Sequence, residues 1–210
     1  MLVLKYQKQG SACFISHIDL LRHVDRIIRR AHIEVKFSQG FNPHPLLFFS
    51  PPLSLGTASV AEYLSIDSDM DKDVAFERYN ASVPDGLKAS KIFVCSKNPN
   101  LQAKVTCADF VFPTAYRNID LSNGFIVQYK KKGEIVKEDV EDKIFAVFEK
   151  DGKLAMRLAS GACNLRPDRI LDKLGEIVGE NIDPRGVVKI AQYVDVDGKI
   201  VDVDEFLQTV

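Results

Sequence analysis

The chain has 210 residues, 46% of them hydrophobic, 27% charged and 9% aromatic, with 28 Lys/Arg against 29 Asp/Glu. This composition excludes disordered, collagen-like and low-complexity classes, and the near-zero net charge argues against a non-specific nucleic-acid coat. Cys13, Cys95, Cys107 and Cys163 lack any CxxC spacing, so they read as buried or incidental thiols of a reducing compartment rather than a disulfide framework or metal quartet. Lys5 and Lys8 interrupt any leader or anchor pattern at the N-terminus. No run approaches the ~20 apolar residues that span a bilayer, so a cytoplasmic protein with no membrane contact is expected.

Leu2 to Gln9 alternates apolar and polar residues, with Leu2, Leu4 and Tyr6 on one face, and reads as a strand. Ser16 opens a helix, and Asp19 stands three positions later as a short relative of the capping-box acid. Leu20, Val24, Ile27, Ile28 and Ala31 form its buried stripe, while Arg22, Arg26, Arg29 and Arg30 make a basic outer ridge. Glu34 to Phe37 can start another strand before residues 38–45 (SQGFNPHP) break it. Leu46 to Phe49 and Val60 to Ile66 follow as strands, and one of Phe48 and Phe49 should be core. Asp71 to Ala81 is a helix with Val74, Ala75 and Tyr79 inward, stopped by Pro84 to Gly86, and Lys91 to Cys95 is a strand. The order is β-α-β-β-α-β, the ferredoxin-like series.

The polar stretch Ser96 to Gln102 divides the chain into a ferredoxin-like domain over 1–96 and a strand-rich α+β domain over 103–210. In the second, Val105 to Phe112 and Phe125 to Tyr129 are strands, and residues 130–133 (KKKG) form a solvated hairpin tip. Lys143 to Glu149 and Lys153 to Ala159 flank Asp151-Gly152, a two-residue hairpin signal. Pro167 is placed as a first-turn proline. Ile170, Leu171, Leu174, Ile177 and Val178 trace one helical face that Gly179 ends, and Val187 to Val194 returns as a strand. The half could be a degenerate second ferredoxin-like unit, although no internal repeat is legible.

Residues 1–60 hold seven Lys/Arg against three Asp/Glu, together with all four histidines, so the chemistry is expected there. His17 stands at a helix start, where the positive dipole end disfavours imidazolium and leaves a neutral ring as base or donor; it could equally be a capping group bonded to backbone. His44 lies between Pro43 and Pro45, which display Asn42 and His44 on a stiff, extended arm behind the conformational freedom of Gly40. The alternative is a rigid connector that protects a sheet edge. The arginine ridge can bind phosphate oxygens through its guanidinium forks, or be only a solvated face. A zinc site from Cys13, His17 and His44 has no fourth ligand, and phosphate loops, dinucleotide fingerprints and nucleophile elbows are absent.

The blocks FISHIDLLRHVDRIIRRA, FSQGFNPHP and SPPLSLGTAS, with Glu62-Tyr63 and later Asn164-Leu165-Arg166-Pro167, resemble the radical SAM-linked protein family. That family is found fused to, or encoded beside, radical S-adenosylmethionine (radical SAM) enzymes. The resemblance covers Lys5 to Tyr63 best and implies a radical SAM protein as partner, but supplies no reaction. The chain lacks the CxxxCxxC loop that holds such an enzyme's iron-sulfur cluster, so it is expected to carry no cofactor itself. The leading expectation is a non-cluster accessory protein binding a phosphate-bearing or RNA substrate. Its candidate ligand-binding residues are Ser16, His17, Asp19, Arg22, Arg29, Arg30, Ser38, Gly40, Asn42 and His44. A stand-alone RNA-binding or RNA-processing protein, similar only in architecture to the repeat-associated RNA-processing proteins of CRISPR systems, and a structural interaction module stand as alternatives.

Overall fold

The structure, a computed structural model, describes residues 1–131 and 133–210. The first unit runs β1 (Leu2–Lys8), α1 (His17–Arg30), β2 (Leu47–Phe49), β3 (Ala58–Ile66), α2 (Lys72–Ser82) and β4 (Ala89–Val94). β1 pairs antiparallel with both β3 and β4, and β2 pairs antiparallel with β3, giving the ferredoxin-like order 4-1-3-2. After the one-turn helix α3 (Leu101–Lys104) come β5 (Val105–Ala115), β6 (Ile126–Lys131), β7 (Glu134–Asp139), β8 (Ile144–Lys150) and β9 (Lys153–Ala159). α4 (Leu171–Val178), β10 (Val188–Val196), β11 (Lys199–Asp202) and α5 (Val203–Phe206) complete the chain. β10, β5, β9 and β8 lie side by side in that order and are antiparallel throughout. This is the same 4-1-3-2 order, with the β6–β7 hairpin standing where the first crossover helix would be. The second unit is therefore a degenerate ferredoxin-like copy, and the molecule is α+β.

The two units share one sheet. β2 covers only the end of β3 (Leu64 to Ile66), and β10 takes the other end in parallel, with Val188 opposite Ala58 and Lys189 opposite Ser59. Along β1, Leu2, Leu4 and Tyr6 pack with α1 and α2, whereas Val3 joins α3 and α5 on the reverse side. Tyr6 stands opposite Glu62, Lys189 stands opposite Phe110, and Lys189 pairs with Glu62; Phe110 therefore faces the α1 side. Its core, with α4 and the residues leading into β6, covers the same face as α1 and α2.

The local reasons match the sequence in most places. Ser16 caps α1 by accepting from the Asp19 N–H at 3.2 Å, and the predicted stripe Leu20, Val24, Ile27, Ile28 and Ala31 is buried. Burial of each large side chain in it contributes about 1.5–3 kcal/mol. Asp151 and Gly152 adopt φ of +51° and +76°, the two positive values a primed turn needs between β8 and β9. Other expectations are corrected. Glu34 to Phe37 forms no strand, only a single bridge from Phe37 to Pro45, because the chain turns back at once. Val74 and Ile177 are 41% and 40% exposed, since Ala75 and Tyr79 suffice to seat α2, and Leu171, Leu174 and Val178 to seat α4. The lysine-rich tip falls, at Lys132, outside the described residues. Among those residues, no helix is long and apolar enough to cross a membrane.

Candidate functional site

The segment leaving α1 returns along its outer face. Ser38 and His44 latch it: the Ser38 N–H donates to the His44 carbonyl at 2.9 Å, and the His44 N–H donates to Ser38 Oγ at 3.1 Å. Ser38 Oγ also lies 2.9 Å from His44 Nδ1. Gly40 makes the turn at φ +126°, a value L side chains rarely adopt, with open space where a Cβ would sit. Asn42 and the fully exposed Phe41 stand at the tip.

Between this latched loop and α1 runs a groove of about 340 Å³, lined by Leu21, Arg22, Asp25, Arg29, Pro43, His44, Pro45, Leu47 and Phe49. Arg29 Nε donates to both oxygens of Asp25, at 3.0 and 3.1 Å, which leaves its terminal amino groups free of that pair. Arg22 lies 3.6 Å from Asp19, a loose exposed contact that a ligand phosphate can replace. The expected ridge is thus partly neutralised by acids one turn away. Arg30 does not join it, because its guanidinium donates to the Ser82 carbonyl at the end of α2. Ser16 and Asp19 are occupied with each other, the Ser16 hydroxyl donating to Asp19 Oδ2 at 2.7 Å.

His17 is not in the groove. It borders a second, smaller cleft of about 10 Å³, the room of one water, lined by Tyr6, Lys8, Leu20, Phe49, Ser50, Pro52, Leu53 and Glu62 besides His17. Phe49 is common to both clefts and meets the His17 ring edge to face, with centroids 5.9 Å apart. Burial, then the neighbouring Lys8 charge, hold the His17 imidazole below its ordinary value, and Glu62 opposes them. The ring is therefore neutral near pH 7, as the helix start suggested.

Lys8, Ser50, Glu62 and Lys189 are not among the ligand-binding residues expected from the sequence. Lys8 is 3% exposed and donates to the Ile15 carbonyl at 2.9 Å. Glu62 and Lys189, each 4% exposed, stand 2.6 Å apart as an ion pair at the seam between the units. A signal was present for two of them: the even-numbered face of β1 that carries Leu2, Leu4 and Tyr6 also carries Lys8, and the face of β3 that carries Leu64 and Ile66 also carries Glu62. Cys13 is a buried thiol whose Sγ lies 3.3 Å from the Lys8 carbonyl, and burial raises its pKa, so it is no ready nucleophile.

Fold and site together define a tandem ferredoxin-like α+β protein whose first unit carries a basic, histidine-edged groove and a buried ionic cleft. The chain matches a family described as an uncharacterized protein conserved in bacteria (DUF2344) over residues 1–167, and it belongs to that family. The matched stretch contains every residue of the groove and of the His17 cleft, and it ends before α4. No curated protein matches the chain.

Proposed function

We propose that the protein is a non-cluster accessory module that binds a phosphate-bearing substrate, RNA being the macromolecule of choice, and presents it to a radical SAM enzyme. The observation that carries the substrate part is the groove itself. A loop latched by Ser38 and His44 lies along α1 and places Arg22, Arg29 and His44 on one cleft. Guanidinium groups with free amino faces match phosphate oxygens, and a pre-closed loop avoids the entropy of ordering on binding. The partner part rests on the family resemblance alone. The paired 4-1-3-2 units favour a second reading, a stand-alone RNA-binding protein, by analogy of fold only. Capture of the full chain from its native cell, with bound RNA and protein both sequenced, separates the two. An RNA with a cluster-bearing enzyme supports the accessory reading; an RNA alone supports the second; neither contradicts both.

A further inference from the structure

We propose that the groove between the 38–45 loop and α1 holds one unpaired base of a single-stranded RNA, with the neighbouring base stacked on Phe41. The inference rests on the reading of this groove as a phosphate site, and it names the form of RNA that the groove takes.

The groove is cationic at its rim and apolar inside. Arg22 and Arg29 supply the charge, but the walls are Leu21, Pro43, Pro45, Leu47 and Phe49. A ligand that offered only phosphates would leave those walls facing water. Phe49 is 8% exposed and meets the His17 ring at 87°, so the deepest wall is an aromatic ring held in place from behind. The volume of about 340 Å³ lies at the lower end of the ~300–1,000 Å³ of pockets that enclose a small molecule. It admits one heterocycle and excludes a duplex.

Asp25 adds a polar selection. It stands between the two arginines, three residues after Arg22 and four before Arg29, on one face of the helix. Each of its oxygens accepts from Arg29 Nε and keeps a lone pair for a further donor. Every unpaired base presents N–H groups on its pairing edge, whereas the sugar–phosphate chain offers mostly acceptors. A base bonded to Asp25 has one guanidinium on either side for its flanking phosphates. In a duplex, pairing consumes those N–H groups and stacking hides the base faces, so neither Asp25 nor the apolar walls would find a partner.

Phe41 supplies the second contact. Its side chain is fully exposed at the tip of a loop closed by the Ser38–His44 hydrogen bonds. It lies two residues from Pro43 of the groove wall, within about 7 Å along the backbone. A bare aromatic ring on a closed loop is a platform on which a base of any identity stacks.

The test is fluorescence anisotropy on the full chain at one ionic strength. Three labelled probes are compared: an RNA strand holding all four bases without self-pairing, the same strand annealed to its complement, and an abasic strand of the same length. Electrostatics alone favours the duplex, whose phosphates are more densely spaced. The expected result is the reverse, with the single strand bound at least about tenfold more tightly than either other probe. Phe41→Ala should weaken the single strand about tenfold and leave the abasic strand and the salt slope unchanged, because no charge is lost; Phe41→Trp should retain wild-type affinity. Leu21→Trp, which fills the groove from a position 37% exposed, should abolish the preference for the single strand with the melting temperature near that of wild type. If the three probes bind alike and Arg22→Gln with Arg29→Gln weakens all of them, the phosphate site stands and the unpaired-base inference falls. A single-strand preference that survives both Phe41→Ala and Leu21→Trp overturns it as well. Binding of none of the probes by the wild-type chain removes the phosphate reading and this inference together.

Discussion

His17 and Asp204 show how single groups tie this fold to pH. The His17 imidazole is held low by burial and by Lys8, so the folded chain binds its proton less readily than the unfolded one. The sign follows: its contribution to stability is complete above the ordinary histidine value of about 6.5 and is lost as pH falls through the depressed one. Melting temperature recorded from about pH 7.5 down to 5 should therefore fall less steeply in His17→Gln than in wild type. Asp204 works in the opposite chemical sense at the back of the sheet. It accepts from Lys5 Nζ at 2.9 Å, Lys91 Nζ at 2.7 Å and Tyr63 Oη at 2.6 Å. Burial would raise its carboxyl, but the bonds from Lys91, Tyr63 and Lys5 outweigh that and hold it below its ordinary value. Asp204→Ala should cost about 3 kcal/mol in denaturant unfolding at neutral pH, since it strands a part-buried lysine and a tyrosine hydroxyl. Asp204 is not legible from the sequence, because its three partners lie more than a hundred residues away. Lys8 and Glu62, by contrast, were readable from strand parity once a charged residue was seen on an apolar face.

At the scale of elements, α1 was the most legible piece, because a 14-residue amphipathic stripe with a serine cap leaves few alternatives. The hairpin at Asp151-Gly152 was legible for the same kind of reason. Asp197-Gly198, with φ of +52° and +81°, makes the same turn between β10 and β11, but is harder to read because the strand after it is only four residues long. The direction of the 38–45 loop was not legible, since its course is set by the Ser38–His44 latch rather than by periodicity. Gly40 is the point where the latch depends on backbone freedom. Gly40→Ala introduces no clash but forbids φ near +126°, so it should weaken ligand binding in the groove. The melting temperature should change little, because the loop is exposed; a large fall would mean that the loop supports the core. A cap gives the contrasting case. Asp71 accepts from the N–H groups of Asp73 and Val74, and Asp71→Ala should cost about 1 kcal/mol by denaturant midpoint without touching the groove.

Across the whole molecule, β4 ends at Val94 and β5 begins at Val105, yet the sheet runs through. The parallel contact of β3 with β10, the buried Glu62–Lys189 pair and the return of α5 beneath β1 and β3 join the units. A single calorimetric transition, with equal calorimetric and van't Hoff enthalpies, is therefore expected, and two resolved transitions would contradict the shared sheet. The same continuity fixes the groove and the His17 cleft on one rigid side of the first unit, on either side of Phe49. The measurement that bears most directly on the groove is the salt dependence of RNA binding, by fluorescence anisotropy, for wild type and for Arg22→Gln with Arg29→Gln. If the two guanidinium groups contact phosphates, log affinity falls linearly with log salt, and the double variant binds more weakly with a slope shallower by about two. Identical affinity and slope for the two proteins would remove the groove as the site of phosphate recognition.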